Sequence, residues 1–427
     1  MTIPPLAPSL PLRRRTLLGA LCAGAVLQGC GGGGGGGATS LQAAWTAPVA
    51  DYNAATALGS APPASIENQT VRQTMRIAAG GTGVRVRVSN LFGPAALTIG
   101  ALHIARSAGG TRIQPGTDVA LTFGGQASIT LPVGQEAWSD VAPMPLEALS
   151  DVAVSAYVGP RTALGTYHQL GVRNTYMATG NGVSATDIAP SAAPTTAYYW
   201  VSGIDVQNAS ARGTIVTFGD SITDGFASTV DASRRYPDAL ARRVAADPFL
   251  SGVSVVNAGI SGNRILHDGV GPRGAGRFDR DVLQATGATH AIVLIGINDI
   301  GFSNLVPGEA VTSDEIIAGL GGLVQRARSA RIRIYLGTLL PFDHALAPDG
   351  QPSPYYDAAG DAKRARVNAW IRGNAAQADG VIDFDAALRN PDAPSRLRTA
   401  YDSGDHLHPN DTGYQAMADA IDLSWFR

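Results

Sequence analysis

Four short segments in the C-terminal half carry residue types suited to acyl transfer. They are Gly219-Asp220-Ser221, Asn257-Ala258-Gly259-Ile260-Ser261-Gly262-Asn263, Gly296-Ile297-Asn298-Asp299 and Asp405-His406-Leu407-His408-Pro409. A serine hydroxyl is a weak nucleophile until a base takes its proton, and the base works best when a third group fixes its tautomer. Asp405 and His408, three residues apart, offer both partners from one loop, which need only fold over toward Ser221. Attack on an ester carbonyl also creates an oxyanion, and donors aimed at it in advance supply much of the rate. The N–H groups of Ser221 and Gly262 and the side-chain amide of Asn298 would make three such donors. Glycine lets the backbone approach substrate closely, and asparagine donates without needing a proton of its own. Each segment alone has a plainer reading: Gly-Asp-Ser as a turn, Asp-x-x-His as a surface carboxylate beside a solvated or packed histidine, Asn-Asp as a helix cap or Asx-turn.

The elements around these segments must bring them together. Strands are expected over Thr214 to Phe218, Val253 to Asn257, His290 to Ile295, Ile332 to Thr338 and Val381 to Phe384. Helical patterns lie between them, including Tyr236 to Ala246, Asp314 to Ala330 and Ala359 to Gln377, with Thr312 and Glu315 as a capping box for the second. Strands alternating with helices imply a parallel sheet covered on both faces, a three-layer α/β/α domain over 209–427. The first three segments sit at carboxyl ends of strands, which share one edge of such a sheet. Residues 41–208 read differently. Val84-Arg85-Val86-Arg87-Val88, Ala127 to Leu131 and Asp151 to Val158 alternate with period two between Gly, Pro and Asn turns, which argues an all-β sandwich of the jelly-roll sort.

Taken together, the four segments resemble the blocks of the SGNH superfamily of GDSL-type esterases and lipases, over about Thr214 to Phe426. The resemblance implies Ser221 as nucleophile, His408 as base, Asp405 as its orienting acid, and Ser221, Gly262 and Asn298 as oxyanion donors. It also implies a flavodoxin-like sheet and no metal or other cofactor. A register slip of three would make Gly259 the donor instead of Gly262. Residues around Val88-Ser89-Asn90-Leu91-Phe92-Gly93 are similar to the β-domain ahead of the hydrolase in some secreted bacterial members. The implied activity is hydrolysis of carboxylic esters through an acyl-serine, on short-chain or acetyl esters including O-acetylated glycans. Lipid esters are the alternative, as is a non-catalytic polysaccharide-binding protein. The β-domain would either bind sugar or wall one side of the site.

The rest of the chain narrows the choices. With 32 basic against 34 acidic residues it presents no basic field for nucleic acid phosphates. His103, His168, His267 and His344 show no metal-ligand spacing; His406 reads as an exposed neighbour of His408 and His290 as a packed residue. Gly269 to Gly274 matches G-x-G-x-x-G by letter, but it follows no apolar strand and is read as a loop that opens no helix. At the amino end, Arg13-Arg14-Arg15 precedes an apolar run from Leu17 to Leu27, the pattern of a signal peptide over 1–29, with Sec and twin-arginine export both open. Leu27-Gln28-Gly29-Cys30 resembles a lipobox, with Cys30 as the lipidated residue, and Gly31 to Gly37 gives a flexible tether within 30–40. Export to the periplasm or cell surface with a lipid anchor is the expectation. The membrane would be met only through that lipid, the partner would be a small-molecule or glycan ester, and oligomeric state is open.

Overall fold

In the computed structural model, residues 40–54, 65–347, 351–374 and 376–427 are described. The expected leader, Cys30 and all of the tether but Ser40 lie outside them. The described residues form one compact unit.

The C-terminal half is built on a five-stranded parallel sheet in the spatial order Val253–Gly259, Gly213–Gly219, Ala288–Leu294, Arg333–Gly337, Gly380–Ile382. Numbered by sequence that order is 2-1-3-4-5, and it reverses between the first and third strands. A crevice opens at such a reversal, outside the carboxyl ends. Every residue of Gly213–Gly219 is buried, as a strand covered on both faces must be. The principal helices are α1 (Ser221–Asp224), α2 (Tyr236–Ala246), α3 (Gly274–Phe278), α4 (Ile297–Leu305), α5 (Ser313–Ser329), α6 (Ala358–Arg372), α7 (Phe384–Leu388) and α8 (Asp411–Asp419). They pack as two groups: α2 and α7 against α8, and α3 against α5 with α4 and α5 against α6. The Thr312–Glu315 capping box forms, satisfying donors at both ends of that first turn.

Two details differ from the sequence reading. The helix expected to reach Gln377 stops at Arg372, where Gly373 caps it, because the apolar repeat fades after Ile371. Gly274, assigned to a loop, opens α3, which runs into a turn of π-helix over Asp279–Leu283. Apolar spacing over five residues is too short a signal to reveal that helix.

Residues 40–208 form antiparallel sheets. One has the order Ser40–Thr46, Val201–Asn208, Gly81–Ser89, Glu136–Trp138; another has Thr175–Thr179, Gln69–Arg76, Asp151–Val158, Ala101–Gly109, Arg112–Ile113. Val84, Val86 and Val88 are fully buried in the core of this region while Arg85 and Arg87 lie half-buried on the opposite face, bonded to Asp205 and Ser202, the alternation the sequence showed. This region is fastened to the parallel sheet by a buried and a half-buried side chain. Gln42 donates to the carbonyls of Gly213 and Gly252 at 2.7 and 2.8 Å, and Thr46 donates to that of Asn257 at 2.7 Å. Ala43 belongs to the hydrophobic core of the α/β half.

Candidate active site

Ser221 stands at the start of α1, one residue beyond the strand that ends at Gly219. The strand-to-helix junction is sharp because Asp220 caps it, its carboxylate accepting from Ile222 N–H at 3.0 Å. It is also tight: a Cβ at Gly219 would lie 2.1 Å from Thr223 Oγ1 and 2.3 Å from the Leu294 carbonyl, so glycine is required.

The Ser221 hydroxyl lies 2.8 Å from His408 Nε2, and His408 Nδ1 lies 2.6 Å from Asp405 Oδ2. Ser221 and His408 are both buried, 6% and 5% exposed, so their hydrogen bond is shielded from competing water. The other Asp405 oxygen accepts the N–H groups of Leu407 and His408 at 3.0 and 2.8 Å. Burial alone would raise the Asp405 pKa. Hydrogen bonds and charge attraction from His408, with the two amides, outweigh it and hold Asp405 down at about 2. Asp405 therefore remains a carboxylate that fixes Nδ1 as donor and leaves Nε2 to take the serine proton. Asp402 shapes the loop by accepting Gly404 N–H and His406 N–H, and Asn410 ties the loop to the Ala400 and Asp402 carbonyls. His406 projects outward to pair with Asp402 at 2.6 Å.

The oxyanion candidates gather on the same edge. Gly262 has φ of +73°, a left-handed conformation that favours glycine, and Val270 packs over its Cα so that a Cβ would meet it at 3.0 Å. Among the described residues neither the Gly262 N–H nor the Ser221 N–H donates to a protein acceptor. Gly259, the alternative donor, has its N–H held by Asn257 Oδ1 at 2.8 Å. Its own need for glycine is steric, since a Cβ there would sit 2.3 Å from the Asp224 nitrogen. Asn298, in the first turn of α4, is buried; its Nδ2 donates one hydrogen to the Asn263 carbonyl at 3.0 Å, which leaves the second for an oxyanion. Its neighbour Asp299 accepts Ile265 N–H and Leu266 N–H, pinning the chain beyond the Gly262 turn.

Three residues passed over in the sequence hold this arrangement. Tyr355 is buried beside α4 and donates to Asn298 Oδ1 at 2.8 Å, which sets which way the amide faces. Arg277 in α3 is fully buried and donates to the carbonyls of Gly219 and Ala258 and to Asn263 Oδ1, at 2.7, 2.8 and 2.9 Å. Burial lowers its pKa to about 10, and Asp281 at 3.0 Å helps keep it charged. It thus joins the ends of the first two strands to the Gly262 turn. Phe226, 41% exposed, lies against the His408 ring with centroids 4.4 Å apart. Only Arg277 left a trace in sequence, as a charged residue amid the R-F-D-R-D run.

His290, read as a packed residue, packs against Tyr335 and Phe426, and burial lowers its pKa to about 4. Among the described residues no group of three His, Cys, Asp or Glu side chains is placed to hold a metal ion. The site offers a paired nucleophile and base, with three candidate donors at neighbouring strand ends, the equipment of acyl transfer.

Residues 217–416 match the model of the GDSL-like lipase/acylhydrolase family. Solved structures similar to this chain include an aryl esterase from M. smegmatis (18% identity, 49% of this chain and 96% of that one, TM-score 0.39). Another is a carbohydrate acetylesterase from Sinorhizobium meliloti (15% identity, 49% and 96%, TM-score 0.38). No curated protein matches the chain.

Proposed function

From the premise that residues 217–416 are a GDSL-like lipase/acylhydrolase domain, which makes the protein a carboxylic ester hydrolase of that type, we propose that it cleaves acetyl and other short-chain esters of ring-bearing alcohols, O-acetylated glycans among them. The observation that carries the catalytic part is the continuous hydrogen-bonded run Ser221, His408, Asp405 at 2.8 and 2.6 Å. His408 takes the proton as Ser221 Oγ bonds to the ester carbon, and the oxyanion rests on Ser221 N–H, Gly262 N–H and Asn298. The same imidazolium returns its proton to the departing alcohol oxygen, leaving an acyl-serine. Water, deprotonated by His408, then releases the acid.

The alcohol side of the reading rests on Phe226. A group that leaves by taking a proton from His408 passes beside whatever covers that imidazole, and the exposed Phe226 ring does so. The ring is held in place, its carbonyl accepting from Tyr414 O–H at 2.7 Å and its N–H donating to the Ser221 carbonyl at 3.0 Å. A flat apolar face suits a pyranose or aryl ring better than a flexible chain. The test is a panel of acetates differing only in the alcohol. Phe226→Ala should lower kcat/KM for aryl and sugar acetates by about 10-fold relative to ethyl acetate, the scale of one lost apolar contact; an equal loss on all of them would contradict the reading. The N-terminal sequence supports export and lipid attachment at Cys30, and two antiparallel sheets support a jelly-roll-like sandwich for residues 41–208.

A further inference from the structure

His168, in the antiparallel half, meets the nucleophile's own helix. Its Nε2 lies 3.0 Å from Asp224 Oδ1 and 3.2 Å from the Leu170 carbonyl, and its Nδ1 lies 2.8 Å from the Pro48 carbonyl. Both ring nitrogens thus face oxygens that can only accept, so the ring must donate at both ends, which only the imidazolium does. Burial opposes that charge, but the Asp224 carboxylate and the hydrogen bonds outweigh it and raise the His168 pKa; the remaining charged neighbour, Arg235, acts weakly against it. Both His168 and Asp224 are buried, and Tyr198 stacks along the imidazole.

Asp224 is the last residue of α1, a single turn whose first residue is Ser221. One turn is too short to hold itself together, so its ends must be fixed from outside. Asp220 fixes the first end and Asp224 the second. Asp224 Oδ2 accepts both Ser261 N–H and Ser261 O–H at 2.9 Å, and Ser261 directly precedes Gly262. One carboxylate therefore ties the nucleophile turn to the oxyanion turn, and the cation that neutralises it comes from the antiparallel half.

We propose that His168 is a positioning residue for ester cleavage, locking Ser221 and Gly262 in register through Asp224, and that the antiparallel half is thereby a working part of the catalytic centre. This rests on the acyl-serine reading. Removing the imidazolium takes from a buried carboxylate its only hydrogen-bonded cation among the described residues, leaving the longer-range fields of Arg235 and Arg277, so that α1 is held less firmly and Ser221 with it.

The experiment uses the full chain with phenyl acetate, comparing wild type, His168→Ala, His168→Gln and Ser221→Ala. Active sites are titrated with a fluorophosphonate so that kcat is expressed per competent serine. His168→Ala should lower kcat per titrated site by about 10²-fold, the scale of a displacement near 1 Å at the reacting atoms. KM should stay within about threefold, since ground-state binding is untouched. His168→Gln, whose amide restores one donor to Asp224 without the charge, should recover part of the loss, and it carries the test alone if the alanine variant does not fold. A kcat per titrated site within about twofold of wild type, with loss confined to the titratable fraction or the melting temperature, would reduce His168 to a fold-stabilising contact and overturn the proposal. Activity or labelling retained in Ser221→Ala would instead strike the acyl-serine reading, so the two failures are distinguishable.

Discussion

Replacing Tyr355 by phenylalanine isolates one hydrogen bond in the oxyanion machinery. The Tyr355 hydroxyl donates to Asn298 Oδ1 at 2.8 Å while Asn298 Nδ2 donates to the Asn263 carbonyl at 3.0 Å. These two bonds orient the amide so that its remaining hydrogen is free. The Tyr355 ring packs directly on α4 at Gly301, where a Cβ would lie 2.0 Å from it, and phenylalanine keeps that packing. Loss of one neutral buried hydrogen bond costs about 0.5–1.5 kcal/mol, which corresponds to about a 2- to 10-fold fall in kcat if it is felt in the transition state. Asn298→Ala removes the donor outright and should cost about 10²–10³-fold. Because Tyr355 acts through Asn298, the double variant should be no slower than Asn298→Ala alone. Burial, with Asp220 and Asp299 nearby, pushes the Tyr355 pKa well above its ordinary value, so the phenol stays a donor and the effect should not vary with pH in the working range. Steady-state kcat and KM on a short p-nitrophenyl ester measure all three variants. A double variant slowed by the product of the two single effects would refute the argument, because Tyr355 would then act elsewhere.

Other expectations follow from the same geometry. Asp405→Asn keeps the shape of the loop but can no longer fix the His408 tautomer; kcat should fall by about 10³–10⁴-fold with little change in KM, and a fall below tenfold in the same assay would count against the triad. Asp220 is buried with one oxygen unpaired, and burial, with Asp299 adding to it, raises its pKa from 3.8 to about 7. The folded state therefore prefers the protonated acid: wild-type stability is undiminished by this group below pH 3.8, declines as pH rises toward about 7, and levels off above it. Asp220→Asn does not titrate and keeps an acceptor for Ile222 N–H, so its melting temperature relative to wild type should be higher at pH 8 than at pH 4; an equal difference at both would contradict this.

Much of the fold was legible because its signals are local. The strand Gly213–Gly219 reads as an apolar run ending in Gly-Asp-Ser, and Thr312 with Glu315 announces a helix start that the structure contains. The grouping of Ser221, Gly262, Asn298, Asp405 and His408 followed once three of them were placed at ends of parallel strands. What escaped were contacts between residues distant in sequence with no pattern of their own. Tyr355 reaches Asn298 across 57 positions, and His168 reaches Asp224 across 56. His168 lies on a three-residue strand, Thr166–His168, among other buried residues, where a histidine looks like any packed side chain. Arg277 could only be understood after the strands ending at Gly219 and Gly259 were seen side by side, since its bonds are to backbone carbonyls.

The central claim is that Ser221 carries the acyl group. Rapid mixing of the protein with p-nitrophenyl acetate, followed by acid quench and peptide mass mapping, tests it directly. A burst of one equivalent of p-nitrophenol per site is predicted, with the acetyl group on the peptide containing Ser221 and neither burst nor label in Ser221→Ala. An acetyl group on another residue, or an undiminished burst in Ser221→Ala, would contradict the account.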